Sequence, residues 1–172
     1  MISFIKIAAS AVLVLAIVFA ILAVTTKKTF YAEVYIPAPP EEIWQVLMDT
    51  AKYPEWNPTF VQVQGSYEEG AKVINTVNSP HGPMIINAVI QAFVPNTELR
   101  QSGGLPGIIT FDHRWLLKPD KDGTCVIQHE VDRGLYLWFW NSEWVQPAYE
   151  RASAALKERV SGMTPATRCQ SH

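Results

Sequence analysis

Residues 36–44 read Ile-Pro-Ala-Pro-Pro-Glu-Glu-Ile-Trp, and residues 53–58 read Tyr-Pro-Glu-Trp-Asn-Pro. The first stretch ends a strand predicted over 30–36, and it then opens a helix with proline and two acids in the first turn. Ile43, Trp44 and Leu47 recur at helical spacing and give that helix one apolar face. The two prolines of the second stretch lie in a turn-rich segment that ends the helix.

Six further strands are predicted downstream, because short runs of β-forming residues alternate there with turn residues. Strands this close together pair mostly as antiparallel neighbours. An amphipathic helix is predicted over 141–160, bent or restarted at Pro147. This order predicts an α+β fold with helices on one face of an antiparallel sheet. The six predicted strand ranges are 59–65, 71–78, 84–94, 97–102, 108–118 and 124–133.

The opening stretches resemble the START-like (SRPBCC) superfamily in its polyketide cyclase/dehydrase-related branch. Gly104-Leu-Pro-Gly107, His113-Arg-Trp115, Gly123-Thr124 and the long terminal helix are also similar to that branch. The resemblance implies a helix-grip fold, in which a curved seven-stranded antiparallel sheet wraps the C-terminal helix and leaves an apolar cavity. Members bind lipids, sterols, polyketides or other hydrophobic molecules, some catalyse cyclisation, dehydration or hydrolysis, and others are interaction modules. The resemblance therefore predicts the fold better than the activity.

The N-terminal residues 7–24 form an uncharged apolar run. As a helix they span about 27 Å, close to the hydrocarbon thickness of a bilayer. We predict one uncleaved transmembrane helix within an anchor over residues 1–28. A cleaved secretory signal is the alternative, although the run exceeds the roughly 7–15 residues of a signal core. Lys6 and the amino terminus balance Lys27 and Lys28, so the membrane side that carries the domain stays open.

Composition limits the function of the remaining chain. Of 172 residues, 48% are hydrophobic and 17% charged, which excludes an intrinsically disordered chain. We expect a ligand-binding domain over 29–161 and a flexible tail over 162–172. Beyond residue 28 the chain carries 11 basic and 16 acidic residues, a net charge of −5. We expect no nucleic-acid partner, because phosphates are bound by clustered Lys and Arg.

Two predicted strands supply a pair of histidines. Ile109, Phe111, His113, Trp115 and Leu117 share one face of 108–118, and Cys125, Ile127, His129 and Val131 share one face of 124–133. A three-residue loop with a left-handed Gly123 would place Trp115 opposite His129 and Arg114 opposite Glu130. A register two residues shorter would set the histidines directly opposite. Both registers predict the two histidines on one face.

The histidine pair has three interpretations. It can contact a ligand or stay structural, it can act as acid and base, or it can form part of a metal site. A metal site is not expected, because no third and fourth ligand appears at suitable spacing. No cofactor is implied.

We therefore predict membrane-tethered binding of a lipid or isoprenoid-like molecule between the sheet and the terminal helix. The alternatives are a cyclase/dehydrase that uses His113 and His129, and a membrane-bound interaction module with a filled cavity. The tryptophans of 138–144 either anchor the terminal helix or lie at the cavity mouth beside the membrane. The predicted ligand contacts are Leu105, Phe111, His113, Trp115, Ile127, His129, Tyr149, Ala152 and Leu156.

Overall fold

A computed structural model describes residues 2–161 of the chain, with side chains from residue 6 to residue 160. The predicted tail over 162–172 lies outside the described residues. The helices are α1 (Ile2–Thr25), α2 (Pro40–Met48), α3 (Tyr53–Trp56) and α4 (Val145–Ser161), with 3₁₀ turns at Thr50–Lys52 and Leu135–Trp138. The strands are β1 (Lys27–Ile36), β2 (Phe60–Gln64), β3 (Lys72–Ser79), β4 (Gly82–Val94), β5 (Glu98–Leu105), β6 (Ile109–Asp120) and β7 (Gly123–Arg133).

The strands form one antiparallel sheet in the order β1-β7-β6-β5-β4-β3-β2. The sheet curls into a half-barrel, and α4 lies along its concave face. The curl is strong enough for Asn75 on β3 to hydrogen-bond Gln101 on β5, two strands away, at 2.9 Å. The predicted α+β helix-grip fold is confirmed.

One end of the concave face is filled by an apolar core. The buried side chains Ile43, Trp44 and Leu47 of α2 pack there, so the predicted apolar face of this helix is confirmed. Leu156 of α4 reaches the same core and is fully buried. Apolar burial on this scale is the main stabilising contribution to the fold.

The terminal helix differs from its prediction at its start. It begins at Val145, and Pro147 lies in its first turn. The first turn of a helix contains N–H groups that have no intrahelical acceptor, so a proline there removes no helical bond. Pro147 therefore does not interrupt the helix, and the predicted bend or restart is wrong.

The β6–β7 turn is also shorter than predicted. Asp120 pairs with Gly123, so only Lys121 and Asp122 form the turn, and Lys121 rather than Gly123 has a positive φ, of 52°. Cross-strand partners are thereby offset by one residue from the predicted register. Because side chains alternate along a strand, this offset moves every β7 side chain to the opposite face from the one expected.

The correction separates the two histidines. His113 lies opposite Glu130, and Arg114 lies opposite His129. His113 therefore shares the concave face with Glu130, whereas His129 lies on the convex face, edge-on to Tyr31 with ring centroids 6.3 Å apart. The predicted histidine pair and the predicted Arg114–Glu130 pair are both wrong.

The N-terminal helix α1 has one 20-residue segment, Lys6–Thr25, that is long and apolar enough to cross a membrane, and its most apolar stretch is not buried in the fold. β1 follows it with only Thr26 between them. Helices of this length and composition occur both as anchors and as secretion signals. The helix thus fits the predicted anchor and the alternative signal alike.

Candidate functional site

A cavity of about 910 Å³ occupies the other end of the concave face. It is bounded by the ends of the central strands, the first turns of α4 and the 3₁₀ turn at 135–138. Its volume lies in the range of pockets that hold small molecules. The side chains that face inward from the strands include Phe60, Asn75, Val77, Met84, Ile86, Gln101, Ile109, Phe111, His113, Glu130 and Asp132.

The mouth of the cavity is apolar and exposed. Leu105, Tyr136 and Phe139 line the cavity and are 62%, 48% and 83% exposed. Leu105 follows Gly104, whose φ is +98° and whose missing Cβ would lie 2.2 Å from the carbonyl oxygen of Ile109. Only glycine allows this tight approach, which sets Leu105 at the mouth. We call Leu105, Tyr136, Phe139 and the 61% exposed Trp138 the apolar rim.

Of the nine predicted ligand contacts, four line this cavity: Leu105, Phe111, His113 and Tyr149. Ile127 and His129 do not, because the β7 register puts them on the convex face. Trp115, Ala152 and Leu156 do not line the cavity and are buried at 3%, 0% and 0% exposure; Trp115 and Leu156 belong to the packed core. The long helix therefore borders the cavity only with its first turns.

A chain of polar side chains crosses the concave face beside the cavity. Asn75 Nδ2 donates to Gln101 Oε1 at 2.9 Å, and the amide of Gln101 lies 3.4 Å from His113 Nδ1. The amide of Gln128 lies 3.0 Å from His113 Nε2, and Ser153 Oγ bonds Gln128 at 3.4 Å. All five side chains are at most 3% exposed. Such a buried network holds its members in fixed orientations.

His113 is neutral within this network. Burial lowers the pKa of its imidazole to about 3, and the ring lies between those of Phe60, Tyr149 and Trp115, with centroids 5.3 to 6.1 Å away.

The neutral imidazole of His113 has one N–H donor and one lone pair. One of the two flanking amides, Gln101 or Gln128, must therefore turn its oxygen toward the ring. Gln128 can turn its oxygen toward His113 without losing its bond to Ser153, because the Ser153 hydroxyl can accept a hydrogen bond from the Gln128 NH₂ as well as donate one. Turning Gln101 instead would leave the amide NH₂ of Asn75 unpaired against the cavity.

Two carboxyl groups on β7 lie beside the imidazole. Glu130 and Asp132 are 9% and 2% exposed, and they hydrogen-bond each other. Burial, together with the neighbouring Asp132, raises the pKa of Glu130 well above its usual range. Burial raises the pKa of Asp132 to about 7, against the opposing effects of the hydrogen bond from Glu130 and the charge of Lys28. The pair therefore holds at least one proton at neutral pH, and Tyr149 bonds Glu130 from α4.

These carboxyls were not predicted in the site from the sequence, because the predicted register put the alternate residues Ile127 and His129 on the inward face of β7. A signal was present in the strand itself, where Thr124, Val126, Gln128, Glu130 and Asp132 alternate with more apolar residues. The sequence shows that these alternate residues share one face of β7, but whether that face is concave or convex depends on the β6–β7 turn. The two-residue turn at Lys121–Asp122 decides it.

Comparisons with known proteins agree with this architecture. Residues 27–161 match the sequence profile of the family described as polyketide cyclase / dehydrase and lipid transport. No curated protein matches the chain significantly. A START superfamily protein from Mycobacterium smegmatis aligns over 79% of this chain and 99% of its own, with a TM-score of 0.61 and 16% identity.

Two further solved structures share the fold. TTHA0849 from Thermus thermophilus aligns over 78% of this chain and 98% of its own, with a TM-score of 0.64 and 17% identity. The di-domain aromatase/cyclase BexL of the BE-7585A biosynthetic pathway aligns over 78% of this chain and 50% of its own, with a TM-score of 0.62 and 15% identity. At such identities the likeness concerns the fold.

Proposed function

Because the chain belongs to the polyketide cyclase/dehydrase and lipid transport family, we propose that it binds a hydrophobic small molecule, lipid or isoprenoid-like, in the 910 Å³ cavity while tethered to a membrane by α1. The family and its fold support a hydrophobic ligand-binding role. The observation that carries the proposal is the open cavity itself, which replaces a packed core at one end of the sheet.

The lining is suited to an apolar ligand. Val77, Ile109 and Phe111 offer apolar surface, and a ligand that buries about 300 Å² of its own apolar surface there gains roughly 7 kcal/mol before ordering costs. The void disagrees with the alternative of an interaction module, which predicted that this face packs without space. The family alone does not decide between binding and catalysis.

The histidine-based cyclase loses its support. His129 lies on the convex face, and His113 has a pKa of about 3 and both ring nitrogens engaged by amides. A general acid or base works best with a pKa near the working pH and a free proton path. His113 therefore orients neighbouring side chains and moves no proton.

The tether places the cavity mouth at the lipid surface. Trp138 Nε1 donates to Thr26 Oγ1 at 3.1 Å, and the Gly134 N–H donates to the Thr26 carbonyl at 3.2 Å. Thr26 is the residue between α1 and β1, so the apolar rim lies beside the point where the chain would leave the bilayer. Exposed aromatic rings are favoured at membrane interfaces. A ligand could then pass between lipid and cavity without crossing water.

Gentle purification of the full chain in nonionic detergent, followed by organic extraction and mass spectrometry, tests ligand binding. We expect a hydrophobic molecule at near-stoichiometric amount with the wild type and with Thr110→Trp, which adds bulk to the convex face. Ile109→Trp introduces the same indole ring inside the cavity and should lose the molecule. Equal retention by both variants, or no bound molecule in the wild type, would overturn the proposal.

Alkaline carbonate extraction and bromolipid quenching test the tether. The full chain should remain in the membrane pellet, because the proposed tether requires α1 to stay attached to the domain. In vesicles with brominated acyl chains, Trp138→Phe should reduce the quenched fraction of fluorescence, whereas Trp56→Phe should not, since Trp56 packs on Tyr53 with ring centroids 5.2 Å apart. A soluble chain, or equal quenching in both variants, would contradict the tether or the position of the mouth.

A further inference from the structure

Glu130 and Asp132 are buried acids without a cationic partner in the cavity. Among the described residues, no Lys or Arg nitrogen forms an ion pair with either carboxyl, and no Lys or Arg lines the cavity. Lys28 on β1 acts on Asp132 by its charge, but its Nζ already donates to the Trp140 carbonyl at 3.2 Å and to Ser142 Oγ at 2.8 Å. Glu130 and Asp132 bond each other, and Tyr149 bonds Glu130, but the pair lacks the cationic partner that buried carboxylates normally have.

Asn75 supplies a second, independent observation. It is 2% exposed and lines the same cavity. Its Nδ2 is used by Gln101, whereas its Oδ1 has no hydrogen-bond partner. With Gln101 kept in the orientation argued above, turning the Asn75 amide alone would break their bond, so the atom that Asn75 leaves unpaired is an acceptor. A buried acceptor of this kind needs a donor from a bound molecule or water.

The unsatisfied groups of the cavity are therefore acceptors and acids. An anionic head would meet Glu130 and Asp132 in poorly solvated surroundings and be repelled. A hydroxyl can donate one hydrogen bond to them and leaves their charge uncompensated. An ammonium donates up to three and neutralises the charge, and bonds between ionised partners are the stronger kind.

We propose that Glu130 and Asp132, with Asn75 Oδ1 as a further acceptor, form the polar end of the ligand site, and that they bind the protonated amine of an otherwise hydrophobic molecule. This inference rests on the proposed function, since it names the ligand class of the same cavity. It excludes fatty acids and other anionic amphiphiles as preferred ligands.

The proposal carries a pH dependence. A bound cation stabilises the carboxylates, so binding releases a proton from the pair. Since the pKa of Asp132 is about 7, the deprotonated fraction rises roughly tenfold from pH 6 to pH 8, and amine affinity should rise by about that factor. The charged and titratable groups around the pair are Tyr149 of α4, His113 and Asp112 of β6, and Lys28 of β1. His113 stays neutral over this range and does not mask the change.

Calorimetry with three matched probes tests the head group. The full chain in phosphatidylcholine nanodiscs, after removal of its bound ligand, is titrated with 1-naphthylmethylamine, 1-naphthalenemethanol and 1-naphthoate, which share one ring system. We expect the amine to bind at least tenfold more tightly than the alcohol, and naphthoate to bind most weakly. Repeating the amine titration in buffers of different ionisation enthalpy should show proton release.

Variants locate the effect. Glu130→Gln and Asp132→Asn together should abolish the preference for the amine over the alcohol, whereas the exposed control Glu143→Gln should leave that preference unchanged. Equal binding of the three probes, a preference for naphthoate, or an amine preference that survives the double variant would overturn the head-group inference while cavity binding stands. If none of the probes binds and no molecule co-extracts, the proposed function itself fails.

Discussion

The two ends of the concave face are built on the same strands but are used differently. Along β6, Leu117 and Trp115 belong to the packed core, whereas Phe111 and Ile109 line the cavity. Along β7, fully buried Val126 gives way to Glu130 and Asp132 in the same inward row. The fold thus places apolar side chains that stabilise it at one end, and buried carboxyls whose desolvation lowers its stability at the other.

This division separates stability from function within one sheet. Leu156 at the packed end is surrounded on all sides, whereas Glu130 at the open end is held in a proton-sharing pair. Natural proteins commonly give up stability at their functional sites and recover it elsewhere. Removing a packed apolar side chain should therefore lower stability, most strongly at the packed end, whereas removing a buried charge at the open end should raise it.

The largest effect is expected for Leu156→Ala at the packed end. The change removes a fully buried side chain from a close-packed core and leaves a cavity, which costs about 2–5 kcal/mol of the free energy of unfolding. Thermal unfolding of the full chain, followed by fluorescence, measures it. Phe111→Ala is the control at the open end, where the ring already borders empty space, and should cost less. A larger loss for Phe111→Ala would contradict the division.

An intermediate effect of opposite sign is expected for Asp132→Asn at the open end. The pKa of Asp132 is raised to about 7 in the folded chain, so the folded state binds more protons than the unfolded state between about pH 4 and pH 7. Its contribution is therefore favourable at low pH and is lost as the pH rises through 7. The variant should be more stable than the wild type at pH 8, by on the order of 2 kcal/mol, and near it at pH 4.

His113→Gln provides the opposite pH profile. Burial lowers the pKa of His113 to about 3, so below about pH 6.5 the unfolded state binds the extra proton and the wild type loses stability as the pH falls. Between pH 7 and pH 4 the free energy of unfolding of His113→Gln should fall less than that of the wild type. Unfolding midpoints of both variants across this range measure the two slopes. Parallel curves for the two variants and the wild type would show that neither group is buried as described.

The sequence predicted the fold well and the site only in part. Local patterns gave the helix at Ile43, Trp44 and Leu47, and alternation gave the inward face of β6, because both depend on neighbours within a few residues. The facing of β7 depends on one turn residue, since Lys121 adopts a positive φ that its type does not suggest. Because of this one turn residue, Glu130 faces the concave side of the sheet where His129 was predicted.

The extent of the cavity was beyond the reach of local patterns. Trp115 and Leu156 are buried as expected, yet they fill the packed end instead of lining the void, and Ala152 is buried without lining it. Where a core stops depends on how side chains from α2 and α4 meet across the sheet, which is a matter of volume in three dimensions. Periodicity indicates an inward face but not whether the space in front of it is filled.

The smallest effect is expected at the surface of the packed end. Arg159 Nη2 of α4 lies 2.8 Å from Glu55 Oε2 of α3, with side chains 36% and 54% exposed. Exposed pairs contribute about 0.2–1 kcal/mol, because water screens the charges and two long side chains must be ordered. A double-mutant cycle with Arg159→Ala and Glu55→Ala should therefore give a coupling energy below about 1 kcal/mol. A coupling as large as the loss in Leu156→Ala would mean that charges, and not apolar burial, hold α4 to this end of the sheet.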